Sequence, residues 1–316
     1  MNEVAQATPV ERTRRIRRAL FQCSWFLFVP LAIQQVQPFR ASSELVVLHV
    51  SVRDKKGQPI EHLSQDAFAV LEDGKPRPIA VFMAEDEPVT IGLLIDNSIS
   101  MQRLRDRVIS AAVSFARASR PEDEFFALAF NEHVRPALPE TMPFTSDAAE
   151  LQAALMASIT ARGQTALFDA VSMGIDYAER GRHQRKSLVV VSDGGDNASQ
   201  SSFDEVLRRA RSSNVLIHGL VLVDPLADDT NPKVLKALAE ATGGETVTPD
   251  NDREITRAFE RIAGAIRHAY TIGFTPATPD DGQFHKLRVT VSGDAARGAE
   301  VRARVGYLAM PHGSVR

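Results

Sequence analysis

Thr90-Ile-Gly-Leu-Leu-Ile-Asp96-Asn-Ser98-Ile-Ser100-Met101 is an apolar run that ends abruptly in a carboxylate and two hydroxyls. An uninterrupted apolar segment of this length predicts a strand buried on both faces, as in parallel sheets covered by helices. Asp96 then stands at the strand's carboxyl end, where open α/β sheets place their ligands. Ser98 and Ser100, two residues apart in the turn, can point the same way as Asp96. Three hard oxygens around one point are the ligand chemistry of Mg²⁺. The simpler alternative is that Asp96 only ends the strand and Ser100 N-caps the helix after it.

Outward from this stretch, strands and helices alternate over residues 89–267. Met101, Leu104, Val108, Ala111, Ala112 and Phe115 lay one apolar stripe on a helix that stops before Pro121. Residues 124–130 read as a strand, with a short strand near Val134 and a helix over 148–158. Leu167, Val171, Gly174, Ile175 and Ala178 mark another helix, residues 187–192 a buried strand, and Phe203 to Ala210 a helix. A strand over 214–223, a helix through Leu235 and Leu238 up to Gly243-Gly244, an edge strand at 245–247 and a helix from Ile255 to Ile266 complete the series. Such alternation predicts a doubly wound, mostly parallel sheet.

On either side the period changes to two. Val46, Leu48, Val50 and Val52 alternate with polar positions, and residues 68–82 read as a hairpin with Asp73-Gly74 at its tip. Alternation returns at Tyr270 to Phe274, at Leu287 to Val291 and at Val301 to Tyr307, three strands in all. Neither group alone makes a stable sheet easily. The economical arrangement is one β module built from both groups, residues 44–88 and 268–309, with the α/β domain of 89–267 inserted into it and 310–316 left as a tail; two small separate β units are the alternative.

Residues 1–43 differ from the rest. Arg12, Arg14, Arg15, Arg17 and Arg18 precede an apolar stretch over 19–33, too short for a confident spanning helix but laid out like a secretory signal or an N-terminal anchor. The expected location is therefore exported: periplasm, cell envelope or secreted. With one cysteine, Cys23, the chain forms no internal disulfide. The chain carries −3 and residues 1–43 carry +4, which leaves −7 on the remainder. An acidic body argues against nucleic acid as a partner, and the basic run fits a topogenic signal.

Two further stretches bear on Asp96. Gly163-Gln-Thr165-Ala-Leu-Phe-Asp169 opens a helix with a hydroxyl, and Val191-Ser192-Asp193-Gly-Gly-Asp196-Asn ends a buried strand with a carboxylate. Both fall on the sheet edge that carries Asp96. Asp96-x-Ser98-x-Ser100, a threonine in Gly-x-Thr-Ala-Leu and a strand-terminal Asp-Gly together resemble the metal-ion-dependent adhesion site of von Willebrand factor type A domains. The resemblance implies that Ser98, Ser100 and Thr165 bind Mg²⁺ or Mn²⁺ directly or through water, with Asp96 and Asp193 mostly behind them. Three neutral hydroxyls would leave the ion with uncancelled charge and an exchangeable position, which an acidic side chain of a protein partner can fill. Ile99 departs from the family, which commonly carries glycine there, and the resemblance implies a side chain that could crowd the metal's open face. Val50-x-Val-x-Asp-x-x-Gly57, Phe68-x-Val-x-Glu-Asp-Gly-Lys75, Tyr270-x-x-Gly-Phe, Lys286-Leu-Arg-Val and Gly306-Tyr307 are similar to a bacterial family of exported proteins, described mainly from Acidobacteria, in which β segments frame a type A domain.

Other motifs are weaker. Asp169 reads as a residue behind the metal or as an exposed helix acid, Asp196 and Asn197 as loop polarity, and His183, His218 and His285 show no pairing. There is no Gly-x-x-x-x-Gly-Lys, no Gly-x-Gly-x-x-Gly after a strand, no His-Glu-x-x-His and no Gly-x-Ser-x-Gly. These gaps argue against an enzyme. The expectation is an extracytoplasmic, Mg²⁺-dependent protein-binding module of adhesion type, with a metal-stabilised envelope component and a metal-assisted hydrolase as alternatives and membrane anchoring through residues 19–33.

Overall fold

Alternating apolar residues in Val46–Arg53 form β1, whose inward Leu48, Val50 and Val52 are almost fully buried. The computed structural model describes residues 45–84, 87–222, 230–278, 281–293 and 297–309, so the basic and apolar segment over 12–33, Val223 and the tail lie outside the described residues. Phe68–Glu72 (β2) and Lys75–Arg77 (β3) form a hairpin across Asp73 and Gly74, whose φ values of 49° and 80° match the two-residue turn expected of Asp-Gly. The second half of that hairpin does not continue as one strand. After Pro78 the chain leaves the sheet and Ile79–Met83 (β4) joins a different one.

The inserted layer follows: Val89–Asp96 (β5), Arg105–Arg117 (α1), Glu124–Phe130 (β6), Val134–Pro136 (β7), Ala148–Ser158 (α2), Leu167–Arg180 (α3), Arg185–Ser192 (β8), Phe203–Ser212 (α4), Leu216–Val221 (β9), Pro232–Thr242 (α5), Thr246–Val247 (β10) and Ile255–Arg267 (α6). The sheet order is β10-β9-β8-β5-β6-β7, parallel except for the hairpin strand β7. All eight residues of β5 are buried because both faces are covered. Ile91, Leu93 and Ile95 pack with Val108, Phe115, Leu151, Phe259 and Ile262 on one side, and Leu94 with Leu167, Val171, Ile175 and Leu235 on the other. Each such side chain contributes about 1.5–3 kcal/mol by leaving water. Because β6 and β8 flank β5, the strand order reverses at β5, and the crevice beyond the carboxyl ends of β5 and β8 is the switch point where this architecture holds ligands.

Ala269–Phe274 (β11), Phe284–Val291 (β12), Glu300–Arg302 (β13) and Gly306–Leu308 (β14) then rejoin the N-terminal strands. Two antiparallel sheets result, β13-β1-β11-β4 and β14-β12-β2-β3, sharing one core of Leu48, Val50, Phe68, Val70, Ile272, Phe274, Leu287 and Tyr307. The single strand expected from Val301 to Tyr307 is two strands in different sheets. The break falls at Arg304, which is buried and donates to Gly306 O at 3.0 Å and to Arg211 O in α4.

The seam between sandwich and inserted layer is polar. Glu245, 2% exposed, receives Arg53 from β1 at 3.0 Å, Arg261 from α6 at 3.3 Å and Arg302 from β13 at 4.0 Å. His49 of β1 and His218 of β9 line one void of about 10 Å³ there. His218 Nδ1 accepts from Glu245 N at 3.3 Å and its Nε2 is buried without a partner, while His49 Nδ1 lies 3.3 Å from Thr271 Oγ1. Burial pushes both imidazoles down to about 3, helped by Arg185 and Arg304 near His49 and by Arg53 and Arg302 near His218. Among the described residues no helix is long and apolar enough to cross a membrane.

Candidate metal centre

Where β5 ends, the chain cannot continue extended, because Asn97 N donates to Phe130 O at 2.7 Å and a single turn, Ile99–Met101, follows. Ser98 precedes that turn and Ser100 lies within it. Neither hydroxyl caps a helix: α1 begins after Leu104, with no side-chain cap. The capping alternative for Ser100 is thereby replaced by a different bond. Ser100 Oγ donates to Asp193 Oδ2 at 2.9 Å and lies 3.0 Å from Ser98 Oγ. Ser98 N donates to Asp96 Oδ1 at 2.9 Å, and Ser192 Oγ donates to Asp96 Oδ2 at 2.7 Å.

Asp96, Ser98, Ser100 and Asp193 are thus one hydrogen-bonded group across the ends of β5 and β8. Asp96, Ser98 and Asp193 are each 2% exposed or less. Burial pushes the Asp96 carboxyl up to about 6, with the Asp193 carboxylate adding to the rise and hydrogen bonds from Ser98 and Ser192 opposing it. Asp193 is also held from behind by Gly195 N at 2.9 Å. Gly194, between them, has φ +83°, and a Cβ there would stand 2.3 Å from Asn231 O, so the loop needs glycine at that point.

Thr165 lies on the adjoining loop, which Ile99 N touches through Gly163 O at 3.4 Å. It is buried, and among the described residues no hydrogen bond joins its hydroxyl to the other four. Thr165 does not cap α3 either. That helix starts after Ala166, and its first amides go to Asp196 Oδ1 and Ser199 Oγ, at 3.2 and 3.1 Å from Phe168 N. Asn197 fixes Thr165 by a reciprocal pair, accepting from Thr165 N at 2.9 Å and donating to Thr165 O at 3.0 Å. Asp169 accepts from Gln200 N and Ser201 N at 2.8 and 3.0 Å, which holds its carboxyl below the usual range even though burial opposes it. Asp196 and Asn197 therefore do more than give the loop polarity: Asn197 holds Thr165 and Asp196 caps α3, while Asp169 anchors the loop at Gln200 and Ser201.

Sequence reasoning missed a further residue. Asn97, buried between Asp96 and Ser98, accepts from Thr160 N at 2.6 Å and Ala161 N at 2.5 Å and so holds Ala161 at φ +52°, a left-handed conformation unfavourable for alanine. Asn97 O takes Arg162 N at 2.7 Å. The only local signal was an amide residue in a turn. Asn97→Ala strands the buried Ala161 amide and removes the acceptor of the part-buried Thr160 amide, and should lower stability by about 1–3 kcal/mol; an unfolding free energy within about 0.5 kcal/mol of wild type in urea would contradict the bracing role. His285, read from sequence as unpaired, lies between Asp73 Oδ2 at 2.8 Å and Asp281 at 3.2 Å; Asp73 is 212 residues away in the chain.

The donor set suits a hard divalent cation. The carboxylates of Asp96 and Asp193 share the site with the hydroxyls of Ser98 and Ser100, all of them hard oxygens, and Thr165 stands on the adjoining loop. Ile99 leaves its side chain 61% exposed beside the hydroxyls.

The von Willebrand factor type A domain family model matches residues 90–261. Among solved structures, a von Willebrand factor type A protein from Catenulispora acidiphila has a TM-score of 0.50 at 13% identity, covering 87% of this chain and 76% of that one. The vWF domain of the type V pili tip protein Mfa5 from Porphyromonas gingivalis gives 0.46 at 14% identity, covering 57% and 95%. The PilB minor pilin from Streptococcus sanguinis gives 0.47 at 12%, covering 61% and 64%. Among curated proteins no match is found. The family match spans more than half of the chain and takes in the whole sheet from β5 to β10 together with Asp96, Ser98, Ser100, Thr165 and Asp193, so the chain belongs to the von Willebrand factor type A domain family.

Proposed function

We propose that the protein is an exported binding module that captures an acidic side chain of a protein partner through Mg²⁺ or Mn²⁺. The observation that supports this most is the bonded group Asp96–Ser98–Ser100–Asp193 at the switch point, with Thr165 on the neighbouring loop. Ser98, Ser100 and Thr165 would hold the ion, and Asp96 and Asp193 would orient the hydroxyls and balance its charge. When bound, the metal supplies an electrophilic position that a carboxylate oxygen completes. The chain's own residues do the rest: Asn97 and Asn197 fix the loops, and Ser192 keeps Asp96 oriented. Export rests on the arginines at 12–18 ahead of the apolar stretch.

Calorimetric titration of the full chain with MgCl₂ and MnCl₂ is the test. One site per chain is expected, abolished by chelator, with acetate taken up only in the metal-loaded form. A folded sample that takes up neither metal would refute the proposal. Metal uptake without any carboxylate uptake would make the ion a structural brace and the protein a metal-stabilised envelope component.

A further inference from the structure

On the sandwich, the outer face of β12 carries Phe284, Lys286, Arg288 and Thr290, which alternate with the inward His285, Leu287 and Val289. Beside it, β2 presents Leu71. A groove of about 730 Å³ runs along this face, bordered by Arg211 at the end of α4 and by Val305. Its composition is unusual for a body carrying −7: three cations and an apolar floor, with no acidic residue lining it. Asp73 and Asp281, the carboxylates at the ends of the neighbouring strands, are both taken up by His285.

The groove is also preorganised. Phe284 is 37% exposed and Val305 48%, and with Leu71 they give the groove its apolar floor. The Phe284 ring lies over Gly306, where a Cβ would stand 2.3 Å from its tip. The Arg211 guanidinium lies over the ring at 4.8 Å, and Arg211 Nε is buried without a hydrogen-bond partner among the described residues, so ring and cation hold each other. Arg304 ties the Arg211 carbonyl to the sandwich. The position is remote from the metal centre in topology: α4 leads back to the start of β9, so Arg211 stands at the sheet edge opposite Asp96.

We propose that this groove is a second recognition surface, which binds an acidic protein segment that also carries apolar side chains. Lys286 and Arg288 meet carboxylates, while Phe284, Leu71 and Val305 take the apolar residues. An apolar floor gives no purchase to a sulfated polysaccharide or a polyphosphate, and the cations disfavour a neutral apolar segment.

The test is fluorescence anisotropy of a labelled Glu-Leu-Glu-Phe-Glu-Leu-Glu peptide with the full chain, at low salt and in chelator so that the metal centre takes no part. Saturable binding is expected, weakened about tenfold or more by Lys286→Glu/Arg288→Glu and comparably by Phe284→Ser. Heptaglutamate should bind at least tenfold more weakly than the mixed peptide. Melting curves establish that the exposed charge reversals remain folded; if the double variant melts early, Lys286→Gln/Arg288→Gln takes its place. No binding by the folded wild type, equal binding by the charge-reversed protein, or heptaglutamate or heparin binding as tightly as the mixed peptide would each overturn the proposal. Because chelator is present throughout, none of these outcomes depends on whether Mg²⁺ binds.

Discussion

Acidification from pH 6.5 to pH 4 should remove several kcal/mol of stability, because two imidazoles are buried neutral in the seam. His49 and His218 are held down to about 3 in the native state, while in the unfolded chain each binds its proton near 6.5. The unfolded state therefore binds more protons throughout that window, and stability, complete above pH 6.5, falls as the pH drops toward 3. Each group removes about 1.4 kcal/mol per pH unit once the unfolded imidazole is fully protonated, so together they remove roughly 6 kcal/mol by pH 4. That is a large share of the 5–15 kcal/mol available to a typical domain. The groups around the pair do not relieve it: Arg185 and Arg304 face His49, Arg53 and Arg302 face His218, and Glu245 is already engaged by three arginines. Two groups act in the opposite sense. Asp96, raised to about 6 chiefly by burial, takes up its proton in the native state before the unfolded chain does, so it returns about 2 kcal/mol between pH 6.5 and 4; His285 is the other. Burial lowers it, but Asp73 and Asp281 outweigh that and raise it, so its contribution is complete below pH 6.5 and fades as pH rises through the raised value. Urea unfolding at a series of pH values reads the slope directly. His218→Asn keeps an acceptor for Glu245 N and should take about 1.4 kcal/mol per pH unit off the loss between pH 6 and 4; an unchanged slope would remove this explanation.

The second large effect concerns Asp193. Asp193→Ala should lower the affinity for Mg²⁺ by about 10- to 100-fold, the usual cost of losing a residue that orients metal ligands. It should also cost about 1–3 kcal/mol in chelator, since Gly195 N and Ser100 Oγ lose their acceptor. Thr165→Ala separates the two effects. Asp196 and Ser199 cap α3, so this change should leave stability in chelator close to wild type while abolishing the metal-induced rise in melting temperature. A Thr165→Ala protein whose melting temperature still rises with MgCl₂ as the wild type's does would show that the hydroxyl is not a ligand.

What was legible in the sequence followed from burial. The run from Thr90 to Ile95 and the stripe from Leu167 to Ala178 announce their partners through apolarity alone, and the doubly wound sheet follows from their alternation. Where a strand changes sheets was not legible. Pro78 and Arg304 interrupt extended runs that look continuous, and which sheet takes the second half depends on β11 and β12, some 200 residues away from β4 and β2. The same division runs through the site. The five oxygen-bearing residues carry a local spacing pattern. Asn97, Ser192, Asp196 and Asn197 act by receiving or donating hydrogen bonds to loops remote in sequence, and an isolated polar residue in a turn does not reveal which loop it will meet.

The pairing of β1 with β11 joins Val46 to Phe274, and that of β2 with β12 joins Phe68 to Val291. Such contacts bring together residues more than two hundred positions apart, so the sandwich cannot begin to close until the entire inserted layer has been made. A flexible loop of that length is costly to close and slow to find its register. Once the inserted layer has collapsed, the distance to be closed shrinks to the gap between Met83 and Val89 on one side and between Arg267 and Ala269 on the other. The α/β layer thus acts as the scaffold for the assembly of the strands around it. Newly synthesised β1 to β4 must wait, with unpaired edges, for the C-terminal strands, which makes this interval the period of greatest exposure to aggregation.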